Sequence, residues 1–504
     1  MSKSSFLASH WNPRLIEAYN LSGPRYTSYP TAPHLSDQFT QPQLLAALER
    51  SNQRGAPLSL YFHLPFCDTV CYFCACNKIV TANKKHAQPY LSRLNREMAI
   101  WAETVDSSRP VEQLHWGGGT PTFISDTEKR QLMADTRKHF KLLDDDSGDY
   151  SVEVHPGRMN LQAIAVLREI GFNRLSMGVQ DFNPRVQQAV NRFNSLSQVS
   201  KLMAAARLEQ FHSISVDIIY GLPLQTVDSI KATIQQVIDL GPDRLSLFNY
   251  AHMPNLFKTQ RQIPSETLPS AEEKLAMLQQ SIELLVAGGY RYIGMDHFAK
   301  PHDSLVKAQL EGSLQRNFQG YSTHGKSTHG KPTHGKSTHD KSLNEKPPNT
   351  NPSHGDWDLL AFGVSAISAI DGVLVQNHKK IEDYNQVIDQ GHLATQRGLI
   401  LSPEDRLRGT IIMQLICHFK LDIESIEAQF QICFAAHFAE ELLALKPMIA
   451  DRLVSLNPRE IVVSDSGRLL IRAVCMVFDA YLNRPAEAPV SHNSSENIRF
   501  SQIM

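Results

Sequence analysis

The sequence predicts an α/β protein built on an open, three-quarter (β/α)6 barrel, with an N-terminal extension and a mainly helical C-terminal domain. Three observations carry that expectation. From residue 56 short β-like runs alternate with amphipathic stretches, the pattern of βαβ units on a parallel sheet. Six such strands are too few to close a normal eight-stranded barrel. Polar and glycine motifs follow the strands, at the end where such folds collect their chemistry.

Residues 1–55 form the extension, with a helical pattern at Pro42–Arg50 and an aromatic loop, Pro24-Arg-Tyr-Thr-Ser-Tyr-Pro-Thr. The barrel spans 56–300. Its strands are expected at Leu58–Leu64, Val111–Trp116, Tyr150–Val154, Arg174–Val179, Ile214–Tyr220 and Arg244–Tyr250. Between them lie amphipathic segments at Leu91–Ala102, Thr127–Phe140, Leu161–Ile170, Leu196–Leu208 and Asp228–Asp239. Residues 301–400 read as a connection to the C-terminal domain. Within it, 322–341 repeat a five-residue unit of the kind Ser-Thr-His-Gly-Lys, and the stretch 322–353 has almost no apolar content, so disorder is expected. The evenly spaced His324, His329, His334 and His339 read as a solvated loop expansion, because nothing rigid fixes a metal geometry. From 401 to 504 the pattern gives helices at Asp405–Phe419, Ile423–Phe430 and Glu440–Leu445. A small hairpin (Leu453–Leu456, Ile461–Val463) and a final helix near Leu469–Tyr481 follow, a winged-helix look that does not by itself argue for DNA binding.

The bulk numbers narrow the partners. The chain has 504 residues, enough for two or three domains, and 50 basic against 51 acidic side chains. Charge balance gives no global attraction to nucleic acid or an anionic membrane, so an anionic substrate must be met by local Arg and Lys. No apolar run reaches the roughly 18 residues of a membrane span, and the N-terminus lacks a signal-peptide core. Seven cysteines, four of them within ten residues, do not make a disulfide framework and suit a reducing cytoplasm.

Chemistry concentrates in Cys67, Cys71 and Cys74, spaced Cys-x-x-x-Cys-x-x-Cys. A closed zinc site wants four protein ligands, whereas three thiolates on a four-iron cluster leave one iron open for a small molecule. Aromatic neighbours (Tyr61, Phe66, Tyr72, Phe73) shield a cluster from water, one of the levers on its potential. Cys76, close by, would close the open iron if it ligated. Gly117-Gly-Gly-Thr after a strand suits close approach of backbone to a ligand. Glu153, Gln180, Arg192 and Asp217, on or just past strand ends, suit hydroxyl, ammonium and carboxylate groups. His155 lies two residues from Glu153, on the same face of a strand.

The cysteine spacing is the signature of the radical S-adenosylmethionine enzymes. With Pro24–Thr31, the Cys67–Lys78 stretch and His115-Trp-Gly-Gly-Gly-Thr-Pro-Thr, the chain resembles the oxygen-independent coproporphyrinogen III oxidases. Gly171–Phe182, Asp217-Ile-Ile-Tyr-Gly-Leu-Pro, Gly294-Met-Asp-His-Phe, Arg316-Asn-Phe-Gln-Gly-Tyr, Phe362–Ser368 and Gly467–Arg472 extend the resemblance along essentially the whole chain. It implies one [4Fe-4S] cluster on Cys67, Cys71 and Cys74, and two S-adenosylmethionine molecules. Tyr61, Gly118, Glu153 and Ile367 would hold one, and Phe73, Gly119, Thr120, Gln180, Arg192, Asp217 and Ala251 the other. The implied reaction converts two propionates of coproporphyrinogen III to vinyl groups by a 5′-deoxyadenosyl radical, giving protoporphyrinogen IX, with no further catalytic side chain. Arg25, Lys78 and Arg316 would dock the substrate carboxylates, with Tyr26, Tyr29 and Phe318 as apolar walls. The implied partner is an electron donor such as flavodoxin or ferredoxin, and the enzyme is expected to be a monomer. A heme-binding chaperone on the same barrel is the competing reading, and the Arg-Tyr-Thr-Ser-Tyr-Pro-Thr and Asn-Phe-Gln-Gly-Tyr motifs favour the oxidase.

Overall fold

The computed structural model describes residues 11–323 and 358–482; the His-rich stretch, beyond its first two residues, lies outside the described residues. The six expected strands are present with slightly shifted ends. They are β1 (Leu58–Leu64), β2 (Pro110–Gly118), β3 (Asp149–Val154), β4 (Arg174–Gln180), β5 (Ser213–Tyr220) and β6 (Arg244–Asn249). They pair in parallel in chain order. Helices follow them at Ala87–Ala102, Asp126–His139, Gln162–Glu169, Leu196–Leu208, Val227–Leu240 and Ala271–Ala287. Serine or threonine caps with a return hydrogen bond from the third helical residue start three of these, at Ser125, Thr226 and Ser270.

The strands carry an alternation that decides where the site sits. Tyr150, Val152 and Val154 on β3, and Leu175, Met177 and Val179 on β4, are buried in the core. Their neighbours Ser151, Glu153, Ser176 and Gly178 are only half-buried, on the opposite face. Parallel strands covered on both faces read as continuous apolar runs; here one face is polar and borders a cavity of about 200 Å³ walled by Ser151, Ser176, Ser215, Ser246 and Asp217.

Among the described residues the sheet runs past the six strands to thirteen. Asp358–Phe362 adds in parallel to β1, with Leu60 opposite Leu360, and three antiparallel strands follow at Ile367–Ile370, Val373–Asn377 and Thr395–Ile400. Part of the stretch expected as a connection is therefore sheet. A buried charge cluster fixes the first of these strands. Asp358 accepts from Arg109 at 2.6 Å and Arg54 at 2.5 Å, tying it to the N-terminal helix Gln41–Arg54. On the far side His297–Ala299 pairs with β6.

In the C-terminal domain the helix Pro403–His418 buries Ile411, Ile412, Leu415 and Ile416 completely. Lys420–Asp422 joins the expected hairpin as a third strand, and the final helix is broken into Asp465–Leu469 and Ile471–Val477. Among the described residues no helix is long and apolar enough to cross a membrane.

Candidate active site

The chain leaves β1 directly into the cysteine loop. Phe66–Cys67 pairs in parallel with Ile79–Val80, closing the base of the loop. Outside that pair the loop has little regular structure, so its backbone groups are satisfied from elsewhere. Asn191 Nδ2 donates to the Val70 carbonyl at 2.7 Å, and Gln260 Nε2 to that of Phe73 at 3.0 Å. The Thr259 hydroxyl and Lys78 Nζ both reach the Cys74 carbonyl at 3.0 Å. Cys67, Cys71 and Cys74 thereby face one cavity of about 160 Å³, which Cys76 also borders.

Burial pushes the Cys67 thiol up to about 11 and raises Cys71, whereas a hydrogen bond from Cys76, helped by Lys78, draws Cys74 down to about 6. Arg192 Nη1 lies 3.7 Å from the Cys71 sulfur and the Thr120 hydroxyl 3.5 Å from that of Cys67. Among the described residues no three His, Cys, Asp or Glu side chains converge as a single-ion site. The three thiols border one cavity without meeting at a point.

The glycine turn after β2 is stitched to this loop. Gly119 N donates to the Leu64 carbonyl at 2.9 Å and Thr120 N to that of Phe66 at 2.8 Å. A Cβ on Gly119 would lie 2.6 Å from the Pro65 carbonyl, and one on Gly118, at φ +111°, would lie 2.7 Å from the His63 ring. Phe73, Gly118, Gly119 and Thr120 line the cavity on this side. Glu153, Gln180, Arg192 and Asp217 line the other, so eight of the eleven expected cofactor residues meet the three thiols. Two polar atoms here, Gln180 Oε1 and Arg192 Nε, are buried without a partner, which fits a polar ligand held between the strand ends and the cysteines.

Tyr61, Ala251 and Ile367 are not in that wall. Tyr61 stands behind it, stacked on the His115 ring at 5.8 Å, with its hydroxyl donating to His63 Nδ1 at 3.1 Å. The Ala251 carbonyl accepts from Gln260, the side chain that also holds Phe73. Ile367 opens an antiparallel strand opposite Gln376.

Glu153 is held by Gly118 and by two residues given no role from the sequence, His115 and Ser151. His115 Nε2 donates to its Oε1 at 3.2 Å, Gly118 N to its Oε2 at 3.2 Å, and Ser151 contacts His115 Nδ1 at 2.5 Å. Burial pushes the Glu153 carboxyl up, but these hydrogen bonds and the neighbouring imidazoles outweigh it and hold it below the usual carboxylate range. Asp217 goes the other way. Burial, with the Glu153 charge adding, pushes it up to about 6 against hydrogen bonds from Ser246 and Ser176. His155 does border the cavity; burial, then Arg192 and Arg158, keep its ring neutral, and its Nδ1 accepts from Gly157 N at 3.1 Å. The signal for His63 and His115 was parity: His63 is two residues from Tyr61, and His115 is in register with it.

The expected substrate residues divide. Tyr26 and Tyr29 are completely buried at the joint with the C-terminal segment, where Tyr26 donates to Asp479 at 2.9 Å and Tyr29 accepts from Ala480 N at 3.0 Å. Here they tie the N-terminal loop to the C-terminal segment, with both hydroxyls hydrogen-bonded. Lys78 is spent on the cysteine loop, and Phe318 packs in a small apolar cluster with Leu35, Leu374 and Leu401. Arg25 and Arg316 do come close enough to repel; burial first, then Arg472 and Arg316, lower Arg25 to about 10. Arg25 pairs with Asp296 and lies over the Phe248 ring. Arg316 is 7 % exposed, and its Nε and Nη1 have no partner.

Residues 61–237 match the model of the Radical SAM superfamily, and residues 401–470 that of the HemN C-terminal domain. The oxygen-independent coproporphyrinogen III oxidase of Pseudomonas aeruginosa is 48% identical over 472 residues, 94% of this chain and 96% of the relative. That of Escherichia coli is 45% identical over 476 residues, with the same coverage. A solved structure of the Escherichia coli protein, described as a radical SAM enzyme, superposes with a TM-score of 0.83 at 43% identity, covering 94% of this chain and 99% of that one.

Proposed function

The chain belongs to the oxygen-independent coproporphyrinogen III oxidase family, and from that premise we propose that it converts two propionate side chains of coproporphyrinogen III to vinyl groups, giving protoporphyrinogen IX. The observation that carries the reading is the single cavity in which Cys67, Cys71 and Cys74 face the polar strand ends, two of whose buried groups lack partners. A cluster held by the three thiolates, with S-adenosylmethionine, supplies one-electron, hydrogen-abstracting chemistry there when bound.

The protein's own residues orient and exclude. The glycine turn packs on the cysteine loop where a Cβ would strike the His63 ring or the Pro65 carbonyl, which fixes that part of the cavity wall. Glu153, fixed by His115 and Gly118 N and kept ionised, suits ribose hydroxyls or an ammonium. Arg192, whose Nη1 lies 3.7 Å from the Cys71 sulfur and whose Nε has no partner, suits a carboxylate. Two cofactor molecules fit the division of the wall between the Gly118–Glu153 side and the Gln180–Arg192–Asp217 side. The substrate's four carboxylates find their best-supported anchor at Arg316, a buried guanidinium with two unused N–H groups, with Arg25 beside it.

Anaerobic turnover of reconstituted protein with coproporphyrinogen III, S-adenosylmethionine and dithionite tests this. Protoporphyrinogen with release of two carbon dioxide molecules per substrate is expected. Stoichiometric heme binding without turnover would instead support the chaperone reading, which the family membership does not favour.

A further inference from the structure

Behind the cavity wall, the loops that follow β3, β4 and β5 are tied together by buried polar side chains that touch no thiol. The tie centres on Gln180, the last residue of β4. The register between β4 and β5 shifts between Gly178 and Gln180, and Gln180 takes φ +71°, in the left-handed region. A non-glycine residue there costs about 1–3 kcal/mol, so the conformation persists only where its surroundings impose it. Such an irregularity at a strand end re-aims a side chain. Gln180 and Arg192 meet over Gly178, where a Cβ would lie 2.8 Å from Gln180 Nε2 and 2.7 Å from Arg192 Nη2. Gln180 Oε1 and Arg192 Nε are buried there without a partner.

Asp181, the next residue, is buried. Its Oδ1 accepts from Asn183 N at 2.6 Å and from the Thr233 hydroxyl at 2.8 Å, and its Oδ2 from Gln225 Nε2 at 2.5 Å. Gln225 also donates to the Ile219 carbonyl at 2.9 Å and accepts from Leu222 N at 2.9 Å, which anchors the carboxylate to the loop after β5. The carbonyls on either side of Gln180 are both engaged. Gln187 Nε2 donates to that of Asp181 at 2.8 Å, and Asn194 Nδ2 to that of Val179 at 2.8 Å. Gln187 Nε2 donates again to the Asn194 carbonyl at 2.7 Å, and Asn194 Oδ1 accepts from Gly157 N at 2.9 Å, which brings in the loop after β3. Arg192 lies in the stretch that these two residues close, its N donating to the Gln187 carbonyl at 3.0 Å.

We propose that Asp181 is a positioning residue for the cofactor site: with Gln187, Asn194 and Gln225 it fixes the turn that aims Gln180, and the loop that carries Arg192, at the cysteine cavity. The inference rests on the assignment of Gln180 and Arg192 to S-adenosylmethionine above. None of these four residues borders the cavity, so they act on a ligand there through Gln180 and Arg192.

Two shape-conserving substitutions test this in the reconstituted full chain. Asp181→Asn sets an amide nitrogen against a donor, either Gln225 Nε2 or Asn183 N, and Gln225 cannot turn over without losing Leu222 N and the Ile219 carbonyl. Gln187→Glu removes both donations from Nε2. S-adenosylmethionine binding, followed by anaerobic titration calorimetry, is expected to weaken on the order of tenfold in each, within the coupling range of one hydrogen-bonded network. Iron content should stay at the wild-type level. In an Arg192→Ala background, where part of what Asp181 aims is gone, Asp181→Asn should cost about threefold or less. Asp243→Asn changes another buried carboxylate, which accepts from Ile214 N at 2.8 Å at the opposite end of the strands, and should bind as wild type. Unchanged affinity in Asp181→Asn and Gln187→Glu, loss of iron in both, the full factor in the Arg192→Ala background, or an equal loss in Asp243→Asn would overturn the proposal. A wild type that loads iron yet does not bind S-adenosylmethionine would sink the cofactor assignment itself, and the inference with it.

Discussion

Three thiols and one carboxylate give the site its sharpest tests. Serine at Cys67, Cys71 or Cys74 is expected to abolish cluster iron, measured by iron and sulfide content after anaerobic reconstitution, while Cys76→Ser retains it. Iron retained after loss of Cys71 would show that the thiols facing the cavity are not the ligands. Asp217, held up to about 6 by burial, is expected to lose its charge as pH falls through that value, so S-adenosylmethionine binding weakens below about pH 6. Asp217→Asn should remove that step from a calorimetric pH series. The same shift bears on stability: between the ordinary carboxylate range and about 6 the native state keeps a proton the unfolded chain has released, so stability falls as pH rises through that window. Most of the cavity wall was legible because motif residues follow strand ends. His115 and Ser151 were not, because their role is to fix Glu153, and only the register of β2 against β3 brings them to it.

Among the elements, the six strands and the helices between them were readable from periodicity, since β-branched runs and amphipathic stretches alternate with clear turn signals. Asp358–Phe362 was not: a short apolar run reads equally as helix or strand, and its partner, β1, is distant in the chain. Its place is set by Asp358 meeting Arg54 and Arg109, a contact no local pattern encodes. The glycine turn makes a prediction at this scale. In Gly119→Ala the new Cβ meets the Pro65 carbonyl at 2.6 Å and the Phe66 carbonyl at 2.8 Å, backbone that cannot rotate away. The cysteine loop must shift, so a destabilisation of about 1–3 kcal/mol is expected. Thermal unfolding and iron content after reconstitution, lowered together, would report it; unchanged values for both would show the turn to be looser than its hydrogen bonds imply.

Across the whole molecule, the N-terminal loop is a clasp on the C-terminal domain. Tyr26 and Tyr29 bond to Asp479 and Ala480, and Arg472 Nε donates to the Pro24 carbonyl at 3.0 Å. Tyr26→Phe leaves the buried Asp479 without that donor and is expected to cost about 1–3 kcal/mol in chemical denaturation. Iron content after reconstitution should be unaffected, since the clasp and the cavity share no residue. The sequence motif was recognisable, but its bonds to Asp479 and Ala480 were not, because a buried tyrosine and a ligand-lining one look alike until their neighbours are known. The central claim, hydrogen abstraction at the propionates in the cysteine cavity, is tested most directly with coproporphyrinogen III deuterated at the propionate β-carbons. Mass spectrometry should find deuterium in the recovered 5′-deoxyadenosine as vinyl groups form; unlabelled 5′-deoxyadenosine alongside vinyl product would contradict the account.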